Sequence, residues 1–169
     1  MKRALLLITV CLILLPAGVQ AQKRRTTSKK STAATTDSTL AVHDGAARVA
    51  DQIKVLTKFL YLLGGVAKGI EAADIAAQQG QASQAVVDQT ERNKAVVRDS
   101  ITSMRGALDK LELDFRLKPE LQRYYINLAG SAAGAATAED QAAANQFDKA
   151  GRSLLTVVNR LTDVLLEMR

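Results

Sequence analysis

Three apolar lines with heptad spacing constrain this chain more than any other feature of its sequence. Val49, Ile53, Leu56, Leu60, Leu63, Ala67 and Ile70 follow one another in alternating steps of four and three. That spacing places side chains on one face of a helix. A second line runs through Val97, Ile101, Met104, Leu108, Leu111 and Phe115, and continues back in phase through Lys94, Thr90 and Val87. The third is Phe147, Ala150, Leu154, Val157, Leu161, Val164 and Met168, widened by Leu155, Val158 and Leu165. Nothing between 37 and 169 alternates at period two over a useful length, so no strands are predicted. The chain has no Trp, three Tyr and three Phe. Its core must therefore come from Leu, Val, Ile and Ala, which suits closely packed helices. The expected fold is all-α: an antiparallel bundle of three to four long helices over residues 37–169.

Glycine and proline set the expected connections. Gly80, within QQGQAS, suits a helix end, and Ser83 suits the cap of the next helix. Pro119 ends the second helix, because the residue before proline is pushed out of helical geometry, and it suits the first turn of a third. Thr137 with Asp140 resembles a capping box for a fourth. The predicted helices are 38–79, 83–116, 120–133 and 138–168, the first starting near Thr36-Asp37-Ser38 or, alternatively, after Gly45. At about 1.5 Å per residue the first would be roughly 60 Å long and the third only about 20 Å. Two repairs of that mismatch present themselves. The first helix breaks at Gly64-Gly65, or the third and fourth merge through the Ala-rich stretch 130–137. Of the readings for Gly64-Gly65, a continuous helix that is kinked or tightly packed there is favoured. Gly65 and Gly69 have the spacing that lets another helix approach closely.

The N-terminus reads as an address. Residues 1–21 carry Lys2 and Arg3, an apolar run from Ala4 to Leu15, a break at Pro16 and Gly18, and Val19-Gln20-Ala21. This is the pattern of a signal peptide cleaved after Ala21. The apolar run is short against the roughly 20 residues a membrane-spanning helix needs. Cys11, the one cysteine, leaves with it. The remainder can form neither a disulfide nor a thiolate metal site. The expected location is the periplasm or the outside of a bacterial cell.

Residues 22–36 carry Lys23, Arg24, Arg25, Lys29 and Lys30, no acid and no large apolar side chain. Such a segment buries too little surface to offset its ordering entropy, and a disordered basic arm is expected. The rest of the chain, 37–169, carries sixteen basic and seventeen acidic residues. The formal net charge of +6 at pH 7 is thus a property of the signal segment and the arm, not of the body. The arm's five cations are candidate contacts for anionic envelope polymers or lipid headgroups. Five cations would give weak, salt-sensitive binding, and sequence-specific nucleic-acid recognition is not expected.

Residues for chemistry are scarce. His43 is the one histidine, read as a surface residue, and nucleophile-and-base catalysis lacks its usual base. No Glu-x-x-His motif of the kind that binds metals in bundles occurs. Glu71 with Asp74, and Asp109 with Glu112, share helix faces and read as solvated charge. Gly130-Ser131-Ala132-Ala133-Gly134 has no preceding strand and no following Lys-Ser/Thr, so it is not a phosphate loop. Thr90 and Lys94 interrupt an apolar line; they mark either a polar pocket or, as favoured, a place where the line leaves the core and Lys94 extends to water. Tyr124 and Tyr125 are adjacent and cannot both face one core, which makes them candidate partner contacts. Over 121–168 the Ala-rich composition resembles secreted haem bundles of the cytochrome c-prime type. That family attaches haem through C-x-x-C-H, which this sequence lacks, so the resemblance implies no cofactor, residue or activity here.

The function expected from these readings is a non-enzymatic interaction or structural protein of the cell envelope, without cofactor or metal. Its partners would be an anionic surface, another protein or further copies of itself. The alternative is a periplasmic module that holds a small apolar ligand between helices, suggested by the Gly/Ala-rich packing.

Overall fold

The computed structural model describes residues 30–169, with side chains from Asp37 onward. Residues 1–29, which hold the expected signal peptide and most of the expected arm, lie outside the described residues, as do the side chains of 30–36. Five helices follow in order: α1 (Lys30–Gln78), α2 (Gln84–Leu117), α3 (Gln122–Leu128), α4 (Ser131–Ala143) and α5 (Phe147–Glu167). There is no strand among the described residues.

The helices form an antiparallel four-cornered bundle. α1 packs on α2 and α5, and α4 also packs on α2 and α5, so α1 and α4 stand diagonally opposed. α3 also packs on α2 and α5 and shares the α4 corner. Cross-contacts fix the direction of each corner. Arg105 meets Glu139, and Arg98 meets Asn145, which runs α4 antiparallel to α2. Asn127 meets Glu167 and Ser153 meets Gln141, which runs α3 and α4 together antiparallel to α5.

The length mismatch is thereby resolved differently from either expected repair. The third corner is longer than expected and reaches Ala143, but it is broken into α3 and α4 at Gly130, whose φ is +91°. The turn into α5 lies at Asn145, φ +58°, not before residue 138. The Gln146 N–H donates to the Gln141 carbonyl at 2.8 Å and the Asn145 N–H to the Ala142 carbonyl at 3.0 Å. That is the Schellman closure of a helix, with Asn in the left-handed position usually held by Gly. Gly80, φ +70°, closes α1 in the same way, through Gln81 to Ala76 and Gly80 to Ala77. The proposed capping box at Thr137 does not form. Thr137 lies within α4, and its hydroxyl donates to the Ala133 carbonyl 3.1 Å away. The cap of α4 comes instead from another helix: the Glu112 carboxylate accepts the Ala132 N–H at 2.8 Å. Glu112 is therefore more than solvated charge, since an anion at this end also meets the helix dipole favourably.

α1 begins at Lys30, upstream of both expected starts and within the segment 22–36 expected to be disordered, so residues 30–36 belong to the helix; it runs unbroken through Gly45 and through Gly64-Gly65. Tight packing is found at Gly45, where an added Cβ would lie 2.9 Å from Leu121 Cδ2, and at Gly134, where it would lie 2.7 Å from Val157 Cγ2. It is not found at Gly64, Gly65 or Gly69, around which a Cβ would meet nothing within 4 Å. These three face solvent because the heptad line of α1 turns its opposite side inward.

The apolar lines form the core as read. Val49, Leu56, Leu63, Ala67 and Ile70 are buried, with Ile53 and Leu60 half-buried against them. On α2 every position from Thr90 to Phe115 in the line is buried. On α5 the line is buried throughout, and Val158 and Leu165 pack on the core while Leu155 stands exposed.

Candidate functional site

Two ends and one flank of the bundle hold the residues that could act. At the end where α1 enters, a cleft of about 760 Å³ opens between Val42, His43 and Ala46 of α1, the Pro119–Tyr124 turn, and Met168-Arg169. Tyr124 is buried and lines this cleft. The Arg123 guanidinium lies 4.5 Å from the centre of that ring and donates to the Tyr124 hydroxyl. The cation and the ring hold each other, a cation–π contact. Tyr125 is half-buried against the core. The pair thus divides as adjacency requires, with one ring inside and one at the edge, and neither ring stands free of the bundle. His43 is exposed on the rim.

At the opposite end, α1 and α2 outrun α4 and α5. α5 begins at Phe147, beside Ala67 and Ile70, and Arg98 reaches the end of α4 by donating to the Ala142 carbonyl and to Asn145 Oδ1. Beyond that level residues 71–97 form a projecting two-helix hairpin. Its root is a polar layer. Lys94, with only 7% of its side chain exposed, donates to Asp74 across the hairpin and to Glu91 on its own helix, each at 2.8 Å. Loss of hydration acts to lower the Lys94 pKa, but the hydrogen bonds and charges of Asp74 and Glu91 together outweigh it and hold the ammonium above its ordinary value. Thr90 donates its hydroxyl to the Val86 carbonyl at 2.8 Å. The α2 line does leave the four-helix core here, as expected, but Lys94 is paired and covered instead of reaching water. Beside it, a corner of about 460 Å³ is lined by Glu71, Asp74, Ile75, Lys149 and Arg152 above an apolar floor of Ala67, Ile70 and Phe147.

The flank is α1 itself. Tyr61 is 85% exposed, and Leu62, Val55 and Val66 are also solvent-facing. Sequence reading passed over these four, because each falls outside the heptad line and none forms a motif. The available signal was that residues 53–67 are apolar nearly all round the helix, with cations as their only charges. A continuing groove of about 240 Å³ runs between α1 and α5, lined by Leu60, Leu63, Gly64, Phe147, Gly151 and Leu155.

Ion pairs elsewhere tie helix to helix. Arg48 meets Asp114 between α1 and α2. Glu139 accepts from Arg105 at 2.8 Å and from Thr102 at 2.7 Å, and these bonds lower its pKa. Among the described residues, no group of three His, Cys, Asp or Glu side chains is placed to hold a metal ion. No described helix is long and apolar enough to cross a membrane.

In comparison with known proteins, no family model, curated protein or solved structure matches the chain.

Proposed function

We propose that this is an exported, non-enzymatic interaction protein of the bacterial cell envelope, in which a basic arm holds a helical bundle against an anionic surface. The observation that carries this reading is the segregation of charge. Five cations without an acid lie within residues 22–36, and the body beyond them has one more acid than bases. Long-range attraction from such an arm needs no folded site and decays within about 8 Å at physiological salt. The bundle then supplies bulk and surface for contacts. The periplasmic side of the envelope, with acidic lipids and polymers, matches an arm that follows a signal segment.

The test is binding of the exported protein to anionic vesicles and to isolated wall material over a salt series, with its first residue fixed by intact mass. Binding should weaken steeply with salt and fall when Lys23, Arg24, Arg25, Lys29 and Lys30 are all changed to Gln. Salt-independent binding that survives those changes would exclude the arm.

The α1–α5 groove favours a second reading, the small apolar ligand. The guest would lie in that surface groove, because the close contacts of Gly45 and Gly134 fill the interior at those points. Native mass spectrometry of the exported protein decides this: a bound apolar molecule supports it, and consistently empty protein counts against it.

A further inference from the structure

Among the described residues, the outward ridge of α1 is a long surface whose composition folding does not explain. With 3.6 residues per turn, Lys54, Lys58, Tyr61, Gly65, Lys68 and Ala72 fall on the side opposite the buried line Leu56, Leu63, Ala67 and Ile70. All six are exposed. Such a ridge on a surface helix is expected to be charged and mixed in sign. Here it is neither. From 52 to 70 the sequence holds three lysines and no acid, with Asp51 and Glu71 at the two edges. Asp51 accepts from Lys54 at 2.9 Å, which leaves Lys58 and Lys68 as the ridge's uncompensated charge. Between the lysines stand Tyr61, 85% exposed, and Leu62, 55% exposed, flanked by Val55 and Val66. Gly65 and Gly69 add no side chain to the ridge, and open space surrounds them.

We propose that this ridge of α1, from Lys54 to Ala72, rests on an anionic lipid surface. The arrangement fits the chemistry of a membrane interface. Tyr and Leu suit the boundary between headgroups and chains, lysine stems lie along apolar surface while their ammonium groups reach phosphate, and glycines let the backbone approach the plane. Charge selects this occupant over a second copy of the chain. Lys54 is paired with Asp51, but pairing two such ridges, parallel or antiparallel, would bring Lys58 and Lys68 against lysines of the other copy. The ridge is also too short to span a bilayer, in keeping with the absence of a spanning helix among the described residues. α1 lies along the bundle edge, so contact through this ridge lays the bundle on its side, with the arm's end of the helix on the same surface. The inference rests on the reading that the arm meets an anionic surface, and adds to it a second, structured contact.

The chain has no tryptophan, so Tyr61→Trp creates a single reporter. The exported variant is mixed with vesicles of equimolar phosphatidylglycerol and phosphatidylcholine, and with phosphatidylcholine alone. The expected result is an emission shift to shorter wavelength with the anionic vesicles only. In the otherwise unaltered protein, Lys58→Gln and Lys68→Gln should each weaken vesicle binding by roughly fivefold, and Leu62→Ser should weaken it further without changing the helical circular dichroism. Absence of the shift overturns the proposal. So does a shift without lipid that grows with protein concentration alongside a doubled solution mass, because a second copy then covers the ridge. The arm is separated from the ridge by its own variant. If neutralising the five arm cations leaves binding intact while the ridge variants weaken it, the arm reading fails and the ridge stands. If the arm variant abolishes binding and the ridge variants leave it unchanged, the ridge proposal fails.

Discussion

α5 and α1 stand side by side in the bundle and follow opposite rules. α5 buries Phe147, Ala150, Leu154, Val157, Leu161 and Val164 and gives most of its remaining surface to polar residues, Leu155 and Leu166 excepted. Its sequence is what its place in the bundle demands. α1 buries a line of the same kind, yet it also carries Val55, Tyr61, Leu62 and Val66 outside. The inner faces of the two helices are equivalent and the outer faces are not. Folding accounts for the first and leaves the second to be explained by something outside the described bundle.

The inner equivalence is broken or upheld by matched truncations. Leu161 on α5 and Leu56 on α1 are both fully buried. Leu161→Ala and Leu56→Ala should each cost about 2–5 kcal/mol in denaturant unfolding. A much smaller loss at Leu56 would mean that α1 is only loosely attached and that the comparison is false.

A smaller effect is expected at the jog between α3 and α4. Gly130 sits at φ +91°, and a Cβ there would run into the Arg160 guanidinium. Gly130→Ala should lower stability by about 1–3 kcal/mol, the cost of a left-handed residue with a side chain. The opposite sign is expected on the outer side of α1. Gly65→Ala adds a methyl group into open space within a helix, and should raise stability by roughly 1 kcal/mol.

The polar layer at the hairpin root sharpens the comparison through pH. Lys94 has its folded pKa raised, so the stability it contributes is complete below the ordinary lysine value and is lost as pH rises through the higher folded value. Protection of hairpin amides from hydrogen exchange should therefore fall at strongly alkaline pH before the four-helix part opens, and Asp74→Asn should move that loss to lower pH. Glu139 works in the other direction. Its lowered pKa gives stability that is present above the ordinary glutamate value and lost as pH falls through the lowered one. Smallest of all is Tyr61→Ser, expected to change unfolding stability by less than about 0.5 kcal/mol. A large loss there would show that the ring supports the fold after all.

The heptad lines made the helical class, the antiparallel packing and nearly all of the core legible from the sequence. Gly80 and Pro119 are turns for the reasons that apply to any chain. What escaped the reading was set by contacts between helices. Asn145 closes α4 because Asn tolerates the left-handed region, a choice that Gly130 and Gly134 nearby masked. Thr137 looked like a cap, but Glu112 on another helix already serves α4, and no local pattern records that. Lys94 seemed bound for water because its partner Asp74 is twenty residues away, across a turn. Tyr124-Tyr125 was recognisable as a divided pair, and the ring that turned inward is the one in phase with Leu121 and Leu128. The ridge of α1 was visible as composition but had no motif to announce it.

The reach of α1, with α2, beyond α4 and α5 has one more consequence. The last residue it buries in the core is Ile70, well before its end at Gln78, and the turn at Gly80 carries no core side chain. The chain is therefore divisible there. A cut between Gln79 and Ser83 would leave a single helix and a three-cornered remainder whose complementary faces are both intact. The two pieces should find each other again as a bimolecular complex, whose stability would then rise with concentration.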